Sequence, residues 1–160
     1  MRRMAKITVV ISAAMVIATA AYCQGITIDE LVDQFQHGTD LQKQQLEDNY
    51  LGKKISARGL VENVSEYNFF DINTDTGENY FRVITYQQET TAKTPYQVIF
   101  IYKNKDRLKD ISRGEVMDQE GTIINIVDER LQISVWIYED ELTPRDKMLF
   151  RLESAKGSLS

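Results

Sequence analysis

At 160 residues the chain is long enough for one domain with a modest core, and its 42% hydrophobic and 27% charged content excludes a disordered or repetitive protein. Its 24 Asp+Glu against 19 Lys+Arg give a net charge of −5, which disfavours general nucleic-acid binding because phosphate contacts need a basic surface. One cysteine excludes an internal disulfide framework, and one histidine leaves little material for nucleophilic catalysis.

The N-terminus has the pattern of a secretory signal peptide. Arg2, Arg3 and Lys6 precede the uncharged apolar run ITVVISAAMVIATAA, residues 7 to 21. That run is shorter than the roughly 20 residues a spanning helix needs, so no integral span is expected in the mature chain. Ala18-Thr19-Ala20 and Ala21-Tyr22-Cys23 both fit small-x-small cleavage. An uncleaved anchor and a lipidated Cys23 are the alternatives, and bulky Tyr22 directly before Cys23 argues against the second. Removing residues 1 to 23 leaves 16 Lys+Arg against 24 Asp+Glu, a net charge of −8. The mature protein is expected in the periplasm or outside the cell.

Two short helices should follow in residues 26 to 52. Thr27 with Glu30, and Thr39 with Gln42, have capping-box spacing. Ile28, Leu31, Val32 and Phe35 share one face of the first helix, and Leu41, Leu46 and Tyr50 could line the second. Gly52 is the expected stop. Strand signals start at Lys53. Ile55, Ala57, Gly59 and Val61 alternate with polar residues, and the next inward candidate is Val64. The extra residue in that count predicts a β-bulge, with Gly59 letting the chain bend. Such a bent strand can pair on both halves and close a small barrel.

FFDINTD (69 to 75) and NYFRVITY (79 to 86) read as a hairpin, and YQVIFIY (96 to 102) as a strand covered on both faces. KNKDRLKDIS (103 to 112) is helical or turn-like. Residues 115 to 128 and 131 to 138 form a closing hairpin, with Leu131, Ile133, Val135 and Ile137 on one face of the last strand. Thr143 and Pro144 then start a C-terminal helix within 141 to 160, whose apolar stripe is Met148, Leu149, Leu152 and Ala155. That stripe is expected to pack on the barrel.

The predicted fold class is mainly β: an OB-fold β-barrel over residues 53 to 140, with N-terminal helices and a C-terminal helix. Tyr50, Gly52-Lys53, Gly59-x-Val61 and Val64 read Y-x-G-K and G-x-V-x-x-V, and Ile111-Ser112-Arg113-Gly114 precedes Gly121-x-Ile123. With the leading DELVDQF helix and the export signal, the chain resembles the exported bacterial OB-fold proteins grouped as tRNA-anticodon-like, over roughly residues 26 to 140. The resemblance implies the OB-fold. Its name implies nucleic-acid binding by analogy of fold, against which stands the acidity of this chain.

Catalysis finds little support. His37 sits beside a glycine in a helix break and lacks an evident partner, and the carboxylate run Glu139-Asp140-Glu141 reads as a solvated face. Neither a phosphate loop nor zinc spacing is present, so no cofactor is expected. Asp71, Asn73 and Asp75 are a weak calcium candidate. Gly77 and Arg82 stand where an EF-hand pattern needs other residues, and a hairpin turn explains the same sequence. The expected ligand-binding residues are Phe69, Tyr80, Arg82 and Tyr86, on the outer face of the hairpin, where exposed aromatics beside an arginine could stack on a ligand. A helix lying over these aromatics is the competing expectation. The functional expectation is an exported, non-enzymatic binding module for a peptide, glycan or envelope component. The alternatives are an interaction subunit of an envelope assembly and a single-stranded nucleic-acid binder.

Overall fold

Two capping boxes start the fold. In a computed structural model of the chain, the residues described are 25–67, 80–129, 131–147 and 150. The expected export signal, the segment 69 to 75 with Phe69 and the calcium candidates Asp71, Asn73 and Asp75, and the stripe residues Met148, Leu149, Leu152 and Ala155 lie outside them. Helix α1 (Ile28–His37) begins at Thr27, whose hydroxyl accepts from the Glu30 amide while the Glu30 carboxylate accepts from the Thr27 amide. Such a cap contributes about 1 kcal/mol. Ile28, Leu31, Val32 and Phe35 are buried together, as their spacing requires.

Helix α2 (Asp40–Tyr50) starts the same way at Thr39 with Gln42. It buries no residue. Leu46 and Tyr50 lean on the core, but Leu41 is 65% exposed and does not line that face. Five residues of helix place Leu41 about 140° around the axis from Leu46. Gly52, with φ 82°, then turns the chain and donates its amide to the Ile123 carbonyl at 2.8 Å.

Five strands follow: β1 (Lys54–Tyr67), β2 (Tyr80–Tyr86), β3 (Tyr96–Tyr102), β4 (Val116–Glu129) and β5 (Gln132–Tyr138), with a 3₁₀ turn at Lys105–Leu108. They close in the order β1-β2-β3-β5-β4, with β3 and β5 parallel and every other pair antiparallel. That is the Greek-key barrel of the OB-fold. Of the six strand segments expected, 69 to 75 lies outside the described residues, and with it the expected hairpin; residues 80–86 pair with the second half of β1, from Leu60↔Tyr86 to Tyr67↔Tyr80, and with β3 on their other side.

β1 closes the barrel by pairing twice, through Lys54–Leu60 with β4 and through Leu60–Tyr67 with β2. The register shifts between Val61 and Asn63, where the phase change predicted a bulge. Gly59 has a further role that the strand pattern does not announce. Its φ is not positive, but a Cβ there would lie 2.6 Å from Thr85 Oγ1. The glycine admits Thr85, which is fully buried and donates to the Val98 carbonyl at 3.2 Å. β4 carries a second bulge, between Ile123 and Asn125.

The barrel interior holds Ile55, Ala57 and Val61 of β1, Phe81 and Val83 of β2, and Ile133, Val135 and Ile137 of β5, and the apolar face of α1 joins the same core. β3 is buried at all seven positions, as its two-sided apolarity predicts. Leu131 is 90% exposed, precedes β5 and so does not join the face expected of it. At the C-terminus Thr143 and Asp146 form a further reciprocal cap, and residues 144–147 and 150 are helical. Among the described residues no helix is long and apolar enough to cross a membrane.

Candidate functional site

Strand alternation puts Phe81, Val83 and Thr85 inside the barrel and Tyr80, Arg82, Ile84 and Tyr86 on its outer wall. The outer wall is not uniformly open. Tyr80 is only 4% exposed, so its expected role as a ligand contact is corrected. Phe150 lies over it, with ring centroids 6.4 Å apart, and over Tyr138 at 5.3 Å. Ile99, Ile101 and Ile124 complete this outer cluster. An apolar patch spanning β2, β3, β4 and β5 is stabilised by cover at about 25 cal/mol per Å² of apolar area. The C-terminal helical segment supplies that cover through Phe150, a residue absent from the predicted stripe.

Beyond Phe150 a strip of the wall remains partly accessible, and the register explains its make-up. Tyr67 ends β1 opposite Tyr80, Arg82 stands between Ser65 and Ile101, and Ile84 faces Ile99, which faces Trp136. Arg82 Nε donates to Ser65 Oγ at 3.0 Å, and its guanidinium lies 5.4 Å from the centre of the Tyr67 ring. The Tyr67 ring in turn packs on Trp136, 5.4 Å between centroids at 54°. Among the described residues no carboxylate forms an ion pair with Arg82. Tyr86 continues the strip at 43% exposure. A hydrogen bond to Glu62, with burial second, holds its hydroxyl above the usual tyrosine pKa.

This strip can offer ring faces for stacking and guanidinium donors for an oxygen acceptor. A cation held over an aromatic ring contributes roughly 0.5–2 kcal/mol, depending on solvation, and keeps the guanidinium plane presented. Tyr67 and Trp136 were not among the expected site residues. Their outward direction was legible, since Tyr67 is three residues past inward Val64 and Trp136 alternates with Val135 and Ile137. Which outward residues lie beneath a helix was not legible.

A second recess, of about 280 Å³, is lined by Thr27, Asp29, Arg58, Gly59, Gln87 and Tyr96, among others. Asp29 there accepts from Thr90 Oγ1 at 2.7 Å, from the amide and hydroxyl of Thr91 at 2.6 and 2.7 Å, and from Tyr96 Oη at 2.5 Å. Burial alone would raise its pKa, but these hydrogen bonds outweigh it and hold the carboxyl at about 2. The cluster fastens α1 to the β2–β3 connection. His37 is exposed, with Nδ1 2.8 Å from the Asp33 carbonyl. Among the described residues no three His, Cys, Asp or Glu side chains are grouped as a metal would need.

No protein-family model matches the chain, and no curated protein matches it. Among solved structures it is similar to a protein from Klebsiella pneumoniae subsp. pneumoniae MGH 78578 that is proposed to be a nucleic acid-binding lipoprotein. The identity is 17%, the match covers 69% of this chain and 84% of that one, and the TM-score is 0.49. The OB-fold assignment rests on the strand order and pairing given above.

Proposed function

We propose that this chain is an exported, non-enzymatic OB-fold binding module that holds an extended ligand, a peptide, glycan or other envelope component, along Trp136, Tyr67, Arg82 and Tyr86. One observation carries this reading: Arg82 lies on the Tyr67 ring of the outer wall without a carboxylate partner among the described residues. A guanidinium laid on a ring and bound only through Nε keeps its remaining donors for an outside acceptor. The wall of β2 and β3 is also where OB-folds bind oligomers. Export is inferred from residues 1 to 23. The reading needs no reaction step, and His37 has no role in it.

The test is a binding panel of soluble glycans and peptides against the wild-type chain and the variant Arg82→Ala. A ligand of this strip should bind the variant about tenfold more weakly or worse, with the thermal midpoint unchanged. Equal affinity for both proteins would falsify the assignment. Single-stranded nucleic acid is the second reading, since rings beside an arginine also stack on bases. It predicts retention of oligothymidylate at low salt and steep loss as salt rises. The net charge, −8 once residues 1 to 23 are removed, opposes it. Docking into an envelope assembly would show as co-purifying protein that is lost when residues 143 to 160 are removed.

A further inference from the structure

The mouth of the barrel holds a third recess, which meets the strip at Ser65. It has a volume of about 250 Å³ and is lined by Val64, Ser65, Glu66, Phe81, Lys105, Leu108 and Lys109. Val64 and Phe81 point into the barrel and Leu108 comes from the 3₁₀ turn, so the floor is apolar. The turn is held firmly. Asn104 caps it by accepting from the Asp106 amide at 2.8 Å. Buried Glu139, just past β5, accepts from the Lys103 amide at 2.8 Å and from Arg107 Nη1 at 2.9 Å.

The rim carries the charge. Lys103, Lys105, Arg107 and Lys109 crowd one short segment of an acidic chain, against Asp106 and Asp110. Arg107 is matched by Glu139, and Lys109 by Asp106 at 2.6 Å. Lys105 has no carboxylate partner among the described residues, although Glu66 stands on the same rim. An apolar floor with one unmatched ammonium at its edge is a two-part receptor, and barrel mouths are a usual place for small-molecule sites. The volume falls below the usual range of about 300–1,000 Å³ for whole ligands, so it fits one side chain or a short tail rather than a nucleotide.

We propose that this recess binds an amphipathic carboxylate, with its apolar part on Val64, Phe81 and Leu108 and its carboxylate on Lys105. A peptide C-terminus ending in an apolar residue and a short free acid share this chemistry. The recess adjoins the Arg82 strip at Ser65, but Lys105, Leu108 and the floor of Val64 and Phe81 belong to it alone, so Lys105→Gln and Arg82→Ala test the two separately. The experiment follows the methyl NMR signals of Val64 and Leu108 in the exported chain during titration with N-acetyl-phenylalanine, its uncharged amide, and hexanoate. At least one acid should shift these methyls in the millimolar range expected of a single anchor, and the amide should bind about threefold more weakly than N-acetyl-phenylalanine. Lys105→Gln should bring the acids down to the level of the amide while leaving the thermal midpoint unchanged. A stronger response to N-acetyl-phenylalanine than to hexanoate identifies a peptide terminus, and the reverse order a free acid. The proposal is overturned if neither acid shifts the methyls at about 10 mM, if the amide matches N-acetyl-phenylalanine, or if Lys105→Gln changes nothing.

Discussion

Gly121→Ala probes the point where β4 crosses β5. Gly121 is buried, and a Cβ added to it would lie 2.5 Å from both Ile137 Cγ2 and the Tyr138 carbonyl oxygen. Ile137 is fully buried in the core and cannot swing aside, and Tyr138 belongs to the β5 backbone, which is hydrogen-bonded on both sides. Overpacking a core costs about 1–3 kcal/mol, and a clash with backbone belongs at the upper end. Replacing glycine also stiffens the unfolded chain, which returns about 0.4–1 kcal/mol. The net loss is therefore about 2 kcal/mol. For a domain of this size that is a fall of about 8 °C in thermal midpoint, taking roughly 4 °C per kcal/mol. Urea unfolding followed by Trp136 fluorescence should show a lower midpoint with an unchanged slope, because the surface exposed on unfolding is the same. A midpoint equal to wild type would mean that the β4–β5 crossing can open at little cost, and the close-approach argument would fail for Gly59 as well.

Three further outcomes follow from the same structure. Asp29 has its carboxyl depressed from 3.8 to about 2, so its hydrogen-bonded form stabilises the fold above pH about 3.8 and that share is lost as pH falls through about 2. Discounted for solvent screening the share is roughly 1 kcal/mol, and Asp29→Asn should flatten the stability curve in that window; a curve that keeps its wild-type slope there sinks the clamp. Phe150→Ala should cost about 3 kcal/mol, the low end for a buried phenylalanine, and should expose Tyr80 and Tyr138 to solvent-perturbation spectroscopy; no spectral change would mean the segment does not cover that wall. Leu31→Ala, at a fully buried position on α1, should cost about 2–5 kcal/mol in chemical denaturation, and a loss below about 1 kcal/mol would show that α1 is not integral to the core.

Much of the architecture was legible because it follows from local rules. The caps at Thr27, Thr39 and Thr143 need only a hydroxyl and an acceptor three residues on. The bulge after Val61 showed as a slip in a two-residue period, and such a slip moves every later side chain to the other face unless a residue is looped out. The candidate site was legible as a set of outward positions on β2 and no further. Arg82 and Tyr86 remain on the open part of the wall, and Tyr80 does not.

What the sequence alone determined is therefore direction and local form: which side chains point into the barrel, where helices start, and where the ladder shifts. Only the tertiary structure decided partners. Gly59 gives no local sign that Thr85 approaches it, and Tyr67 gives none that Trp136 and Arg82 will share its ring. Nor does the two-residue period of β2 say that Phe150 will lie on Tyr80 while leaving Arg82 partly open. Alternation is a property of one strand and its own backbone. Cover is a property of surfaces brought together from distant parts of the chain, and it depends on closure of the barrel, which no single strand encodes.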